Sequence, residues 1–509
     1  MQEVCGDYST STDCAACEAL VTTGMTNFAE LFVNKENFNC DISGWDTSAV
    51  TDMSSMFYNA RSFNQPLNAW NTSAVTTLYQ VFKFAYAFNQ PLDSWDTARV
   101  TTLEQAFRSA SNFNQPLNTW DTSAVTTLNQ VFREATAFDQ PLDSWDTARV
   151  SRFEGAFFTA IKFNSAVFTN LSAATSIKYM FYQAKKFNQS IQTLTYGPSM
   201  ECAGLLARTE AFNQPMRLFP IGQCSSVSQM FNRAEAFNQD VDGWVFSPTI
   251  TPKFANFFAS ATEFNGNVSG WVNVGNVKEF QAMFTKTKFN RPITGWDFSN
   301  AHDFSSMFED TPFNQPIDWY APRAKRLASM FKSTPMNSYF RIQHGAVNNM
   351  ETRRMFEDSE YNRIEINDFD MSSVIDGFLM FHNSAFDQPV TKWTLTRLAE
   401  LRYVTDTRFF GVVSSMSSCN GLATYHALAR QLPELSAFRT DGLTSAWSTA
   451  NGCPPLAPSP PSAPPAPPLP PSSPPLPPML PPPPPCPPPP PPHPSPPPPE
   501  PPPPSPPPP

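Results

Sequence analysis

The chain has 509 residues, of which 15% are charged, and a formal net charge of −10 at pH 7. It carries no basic run interleaved with aromatics, so the electrostatic footprint of nucleic-acid binding is missing, and no run of about 18 apolar residues that would span a membrane as a helix. Its five histidines lack metal-ligand spacing with cysteine, and no nucleophile-elbow, phosphate-loop or dinucleotide-binding glycine pattern occurs, so no catalytic residue, metal or cofactor is expected and the chain does not read as an enzyme.

Residues 1–24 are polar and Cys-rich, and read as an N-terminal cap. The start, Met1 to Asp7, has neither a basic nor an apolar signal-peptide region, which points either to a cytosolic protein or to a start that lies further upstream. Cysteine usage argues for the second. Cys5, Cys14, Cys17 and Cys40 cluster before the first clear repeat, and Cys419 and Cys453 bracket the segment after the last one, as disulfide-tied caps do in an oxidising compartment. Cys202 and Cys224 occupy apolar repeat positions, where buried thiols and a bridge are both open. Cys486 is left over.

From residue 25 to 410 the chain repeats. The stretch Phe63–Ala87 returns almost unchanged from Phe88, Phe113 and Phe138, and a Phe-Asn anchor or its variant recurs every 23 to 27 residues from Phe38 to Phe386. Such a period marks stacked coils that bury a common core, about fifteen of them here. Within a coil, Val75, Leu78, Phe82 and Ala85 fall at steps of three, four and three, which predicts a short helix. Asn71-Thr72-Ser73, and the Asp-Thr-Ser runs at Asp46 and Asp121, then read as its N-cap. Phe63, Leu67 and Trp70 predict inward anchors on a short strand paired in parallel with its neighbours. Asn39, Asn64, Asn89 and Asn114 read as an amide ladder satisfying backbone groups, with Asp139 and Asp387 as tolerated replacements. The expected fold is thus an α/β repeat solenoid, each coil a short parallel strand plus a short helix.

Residues 411–453 lose the pattern and read as a C-terminal cap with a helix near 422–429. From 454 to 509 the proline runs cannot form a core and predict a disordered, polyproline II tail acting as a semi-rigid stalk.

The unit at 138–147, FDQPLDSWDT, and that at 50–57, VTDMSSMF, resemble the BspA-like leucine-rich-repeat surface proteins, whose 25-residue repeat is known from mycoplasma lipoproteins as a domain of unknown function. The resemblance covers about residues 25–410. It implies a leucine-rich-repeat-like horseshoe on a cell surface, used for adhesion or protein binding, with no catalytic residues. Ser495 followed by four prolines, and Ser505 likewise, resemble the modules of hydroxyproline-rich cell-wall glycoproteins of plants and green algae.

Recognition is expected on the strand face, through Gln65, Asn68, Gln90, Asp93, Gln115, Asn118, Gln140 and Asp143. Their near identity between coils suggests a repetitive protein or glycan ligand, or self-association. The Trp row (Trp45, Trp70, Trp95, Trp120, Trp145, Trp244, Trp271, Trp296) reads as core rather than a sugar-stacking face. The repeated Asp row reads as capping rather than calcium binding, which needs six or more oxygens. Four N-glycosylation sequons, at Asn71, Asn170, Asn188 and Asn267, matter only in a secreted chain. Two functions follow: an extracellular or cell-surface binding protein on a proline stalk, or a cytoplasmic scaffold whose proline runs recruit SH3, WW or profilin-like domains.

Overall fold

The computed structural model describes residues 14–192, 194–249, 253–345 and 349–395, all within one compact unit, Met1–Pro454. The expected C-terminal cap, the proline tail, most of the expected N-terminal cap, and Cys5, Cys419, Cys453 and Cys486 lie outside the described residues.

Phe63, Leu67, Trp70, Val75, Leu78, Phe82 and Ala85 all turn inward and are at most 3% exposed, and their apolar equivalents are buried from Phe28 to Trp393. One coil alone leaves these side chains with a single covered face. Stacking covers both. Phe63 packs on Phe88 and Phe88 on Phe113, each at 5.9 Å between ring centres, and a second phenylalanine stack runs beside them through Phe57, Phe82 and Phe107 at 5.4 and 5.6 Å. Full burial of each such ring is worth about 1.5–3 kcal/mol. The tryptophans form a third stack, and nine of them donate the indole N–H to a carbonyl of the preceding coil at 2.8–3.1 Å, as in Trp70 to Ile42 and Trp95 to Leu67. The core reading of the tryptophan row therefore holds.

The predicted helix does not form. The one α-helix among the described residues is α1, Cys14–Glu18, ahead of the repeats. In the coil opened by Phe63, residues 78–88 instead make a run of consecutive turns. The N–H groups of Val81, Lys83, Ala85 and Phe88 close back on the carbonyl three residues earlier. Those of Leu78, Gln80, Phe82 and Phe84 donate to Thr102, Glu104, Ala106 and Arg108 of the next coil. Half of the amides thus tie one coil to the next, where a helix would return them all to itself. Two left-handed residues four apart, Gln80 (φ 56°) and Phe84 (φ 61°), enforce this, and a like pair recurs in the other coils. Positive φ fits the third position of a type II turn and breaks a right-handed helix. A turn run keeps apolar residues at steps of three and four, so the burial pattern is the one a helix would give. The physical difference is width. A helix is about 10 Å across, whereas the turn-run phenylalanines stack as closely as the anchor phenylalanines.

Glycine stands in the left-handed row at Gly155 and Gly204. At Gly204 a Cβ would lie 2.3 Å from the ring of Tyr179, so the ring packs where only glycine leaves room.

The parallel pairing also sits elsewhere than expected. Single bridges link Asn27, Asp52, Thr77, Thr102, Thr127, Arg152, Ser176 and Glu201 in sequence, and another series runs from Glu279 through Asp303 and Arg326 to Glu351. These rows widen into the short parallel pairs β3 (Met200–Glu201) with β4 (Cys224–Ser226) and β7 (Met350–Glu351) with β8 (Val374–Asp376), while β1 (Asn170–Leu171) with β2 (Thr195–Tyr196) and β5 (Ile317–Tyr320) with β6 (Phe340–Gln343) pair at other places in the coil. Only β5 and β6 occupy the place expected after the anchor. In the central coils that segment contains Pro66 or its equivalent, which has no N–H to donate.

Side chains take over the bonding there. The Oδ1 of Asn39 accepts the backbone N–H of Asn64, Asn64 accepts that of Asn89, and the ladder continues unbroken to Asp387 at 2.7–3.0 Å. Only an acceptor oxygen is needed, which is why Asp139 serves as well as Asn. Asn114→Ala removes the acceptor for both the Asp139 N–H and the Gln140 amide. It is expected to cost about 1–3 kcal/mol in urea unfolding, and Asn114→Asp far less. Equal losses in the two variants would sink the ladder assignment.

The Asp and Asn residues read as N-caps have no helix to cap. Asp46, Asn71, Asp96, Asp121 and Asp146 accept the N–H two residues on, closing Asx turns. For Asp46 and Asp121, the hydrogen bonds from Ser48 and Ser123 hold the carboxyl below its usual range.

Two disulfides tie neighbouring coils, Cys14–Cys40 and Cys202–Cys224, and Cys17 is disulfide-bonded as well. The bridge is thus the alternative realised at Cys202 and Cys224.

Candidate binding surface

The residues expected to meet a ligand bond neighbouring coils to one another. The amides of Gln65, Gln90, Gln115 and Gln140 donate to the carbonyls of Asn39, Asn64, Asn89 and Asn114, one coil back, at 2.9–3.2 Å. Asn68 donates to Asp93 and Asn118 to Asp143, while their own oxygens accept the N–H groups of Ser94 and Ser144. Asp93 and Asp143 stay exposed. The sequon residue Asn188 is likewise part of the asparagine ladder.

A different surface emerges where the near-identical coils differ. The anchor segments of the four central coils repeat almost letter for letter. Their turn runs do not: Tyr79, Lys83, Phe84 and Tyr86 in one coil face Glu104, Arg108, Ser109 and Ser111 in the next, then Asn129, Arg133, Glu134 and Thr136, then Glu154, Phe158, Thr159 and Ile161. Apart from buried Ser109, these positions are exposed or half-buried on the turns. The frame is held constant while its outer residues change, and the changes bring aromatic and basic side chains together.

The residue after each buried turn-run phenylalanine forms one row along the stack: Tyr58, Lys83, Arg108, Arg133, Phe158 and Tyr182. Their backbones stand one coil apart, about 4.8 Å. The Lys83 ammonium lies 5.1 Å from the Tyr58 ring centre and 5.5 Å from that of Phe84, Arg108 lies 5.8 Å from Phe84, and Arg133 sits over Phe158 at 4.2 Å. Such contacts contribute about 0.5–1 kcal/mol each at exposed sites. Phe158 stacks in turn on Tyr182 at 4.5 Å. Tyr79 and Tyr86, 37% and 38% exposed, flank the row in the Lys83 coil.

The row is electrostatically unbalanced. Arg133 pairs with Glu134 at 3.1 Å, but Lys83 and Arg108 make no ion pair among the described residues. Arg108 donates to Gln105 and Gln130, neutral acceptors, and its Nε has no partner. Burial holds the Lys83 ammonium below its ordinary range, the Arg108 charge adds to this and Glu104 opposes it; burial and the Arg133 charge do the same to Arg108. For Glu134, burial acts upward but is outweighed by hydrogen bonds from Ser109 and Arg133, which keep its carboxyl low. Two unit charges at this spacing repel by about 1 kcal/mol even in bulk water.

The same row shows what the fold does when charges are balanced. Further along it carries Glu309, Lys332, Glu357 and His382 in alternation. Lys332 pairs with Glu309 at 3.9 Å and Glu357 at 3.3 Å, and His382 approaches Glu357 at 3.5 Å. Among the remaining histidines, Nε2 of His344 meets the Asp370 carbonyl, while His426 and His493 lie outside the described residues.

A cleft of about 430 Å³ lies near Trp271, Asn273, Asn276, Asp297 and Asn300. Its polar groups are engaged locally: Asn276 donates to Pro248, Asn300 to Gly275, and Asp297 accepts Ser299.

The stacked coils, short parallel pairs and side-chain ladders define a tandem-repeat protein. The chain belongs to the family described as "Mycoplasma protein of unknown function, DUF285", whose model matches it five times, over residues 1–116, 85–193, 167–271, 251–344 and 343–409. No curated protein and no solved structure matches it.

Proposed function

We propose that this is a non-catalytic, BspA-like surface protein: a solenoid of repeats, closed by a cap at 1–24 and another at 411–453, that binds a partner and stands on the proline-rich segment 454–509 as a stalk. The observation that carries this reading is the outward aromatic and basic surface, built on coils whose repeated polar residues are already engaged in holding the stack. The coil-to-coil disulfides Cys14–Cys40 and Cys202–Cys224 are compatible with an extracellular or cell-surface location, where disulfides persist.

The test is on the native protein. Surface labelling of intact cells should reach it, mass spectrometry should find Cys14 and Cys40 oxidised, and residues 454–509 should carry hydroxyproline. A protein shielded from the label, with both thiols free and unmodified proline runs captured by SH3 or WW domains, would mean the intracellular scaffold instead.

A further inference from the structure

We propose that the Lys83–Arg108–Arg133 row, with the tyrosines beside it, binds an acidic polysaccharide. This deepens the surface-binding reading above by naming the class of partner. Three observations carry it. First, the stack can alternate charge along this row, as Glu309, Lys332 and Glu357 do, yet here it places three cations in succession and leaves Lys83 and Arg108 without an ion pair among the described residues. An anionic partner supplies the missing countercharge. Second, the cations are set among rings: Tyr58 and Phe84 beside Lys83, Phe158 beneath Arg133, and the exposed Tyr79 and Tyr86 on neighbouring tips of the same coil. Aromatic faces next to cations suit a ligand whose units each combine an apolar ring face with an acidic group. Third, the row is repetitive: the cations recur once per coil, about 4.8 Å apart in the backbone, which suits a polymer with an acidic group on every unit. A chain of uronic acid or sulfated sugar rings is such a polymer, and poly-glutamate tests the acidic-peptide alternative. The chain's own net charge of −10 opposes indiscriminate binding of polyanions, so retention must come from this local row.

The experiment measures binding of the full chain to immobilised polygalacturonate and to chondroitin sulfate, with fully methyl-esterified polygalacturonate and poly-glutamate as comparisons. Retention is expected on at least one of the two acidic polysaccharides, falling with added salt. K83A/R108A should weaken it about tenfold. R99A/R149A, which removes the same charge from two exposed arginines on the Asx-turn side of these coils, should leave it within about twofold. The outward single variant Lys83→Glu repeats the test without disturbing the Arg108 hydrogen bonds, and melting curves confirm that each variant is folded. Esterification should abolish binding to polygalacturonate. No retention on either polysaccharide, equal losses in the two double variants, or tighter binding of poly-glutamate overturns the inference. A cytosolic chain that still bound through Lys83 would overturn the surface role alone; a surface-labelled chain that bound neither polysaccharide would overturn this inference alone.

Discussion

Trp95→Ala is expected to destabilise the stack by about 3–5 kcal/mol in urea unfolding. Its indole is 3% exposed and lies in parallel contact with Trp70 on one side and Trp120 on the other, at 6.4 and 6.2 Å. Its N–H also bonds the Leu67 carbonyl at 3.0 Å. Truncation opens a cavity that neighbouring coils cannot close, because the asparagine ladder and the turn amides fix them on both sides. It also leaves the Leu67 carbonyl without this donor. In a repeat array each coil contacts only its neighbours, so the loss should be local. Hydrogen exchange should rise in the coils of Trp70, Trp95 and Trp120 and stay unchanged near Trp296. A wild-type melting profile combined with lost ligand binding would show that the tryptophan row serves recognition after all.

Replacing the Cys202–Cys224 pair by alanine should cost about 3 kcal/mol, the value for closing a loop of this length. The two cysteines are 22 residues apart, just after β3 and at the start of β4, and both are buried. Their bridge joins one coil to the next and limits the separation open to those coils when unfolded. A reductant should lower the unfolding midpoint of the wild-type protein by much more than that of the double variant, whose remaining sensitivity comes from its other cysteines. An equal response in both would mean that Cys202–Cys224 contributes no stability.

The inward residues were legible because burial follows periodicity. Phe63, Leu67, Trp70, Val75, Leu78, Phe82 and Ala85 were assigned to the core from spacing alone, and all are buried. The asparagine ladder was legible for a related reason: an amide repeated beside every anchor has to bond something that also repeats. The helix was misread because steps of three and four do not distinguish a helix from a run of turns with left-handed residues at every fourth position. Gln80 and Phe84 carry no glycine signature that would mark positive φ; only Gly155 and Gly204 hint at it.

The proposed binding surface differs from the expected one for a different reason. Gln65, Asn68 and their equivalents drew attention because they recur, but recurrence in a stack reflects the demands of stacking. The informative positions were those where copies of one frame differ. Comparing the turn runs of the four central coils would have pointed to Tyr79, Lys83, Phe84 and Arg108 from the sequence alone.

The sequence by itself determined the period and the residues of the core, since both depend on apolar side chains returning at fixed intervals. Tertiary structure alone decided where the backbone hydrogen bonds go. An N–H donates to its own coil or to the next according to φ at a few residues, and that choice turned an expected helix into a run of turns. It also decided which cations meet. Lys83, Arg108 and Arg133 are separated by 25 residues in the chain, and become a charged row only because the coils stack in register.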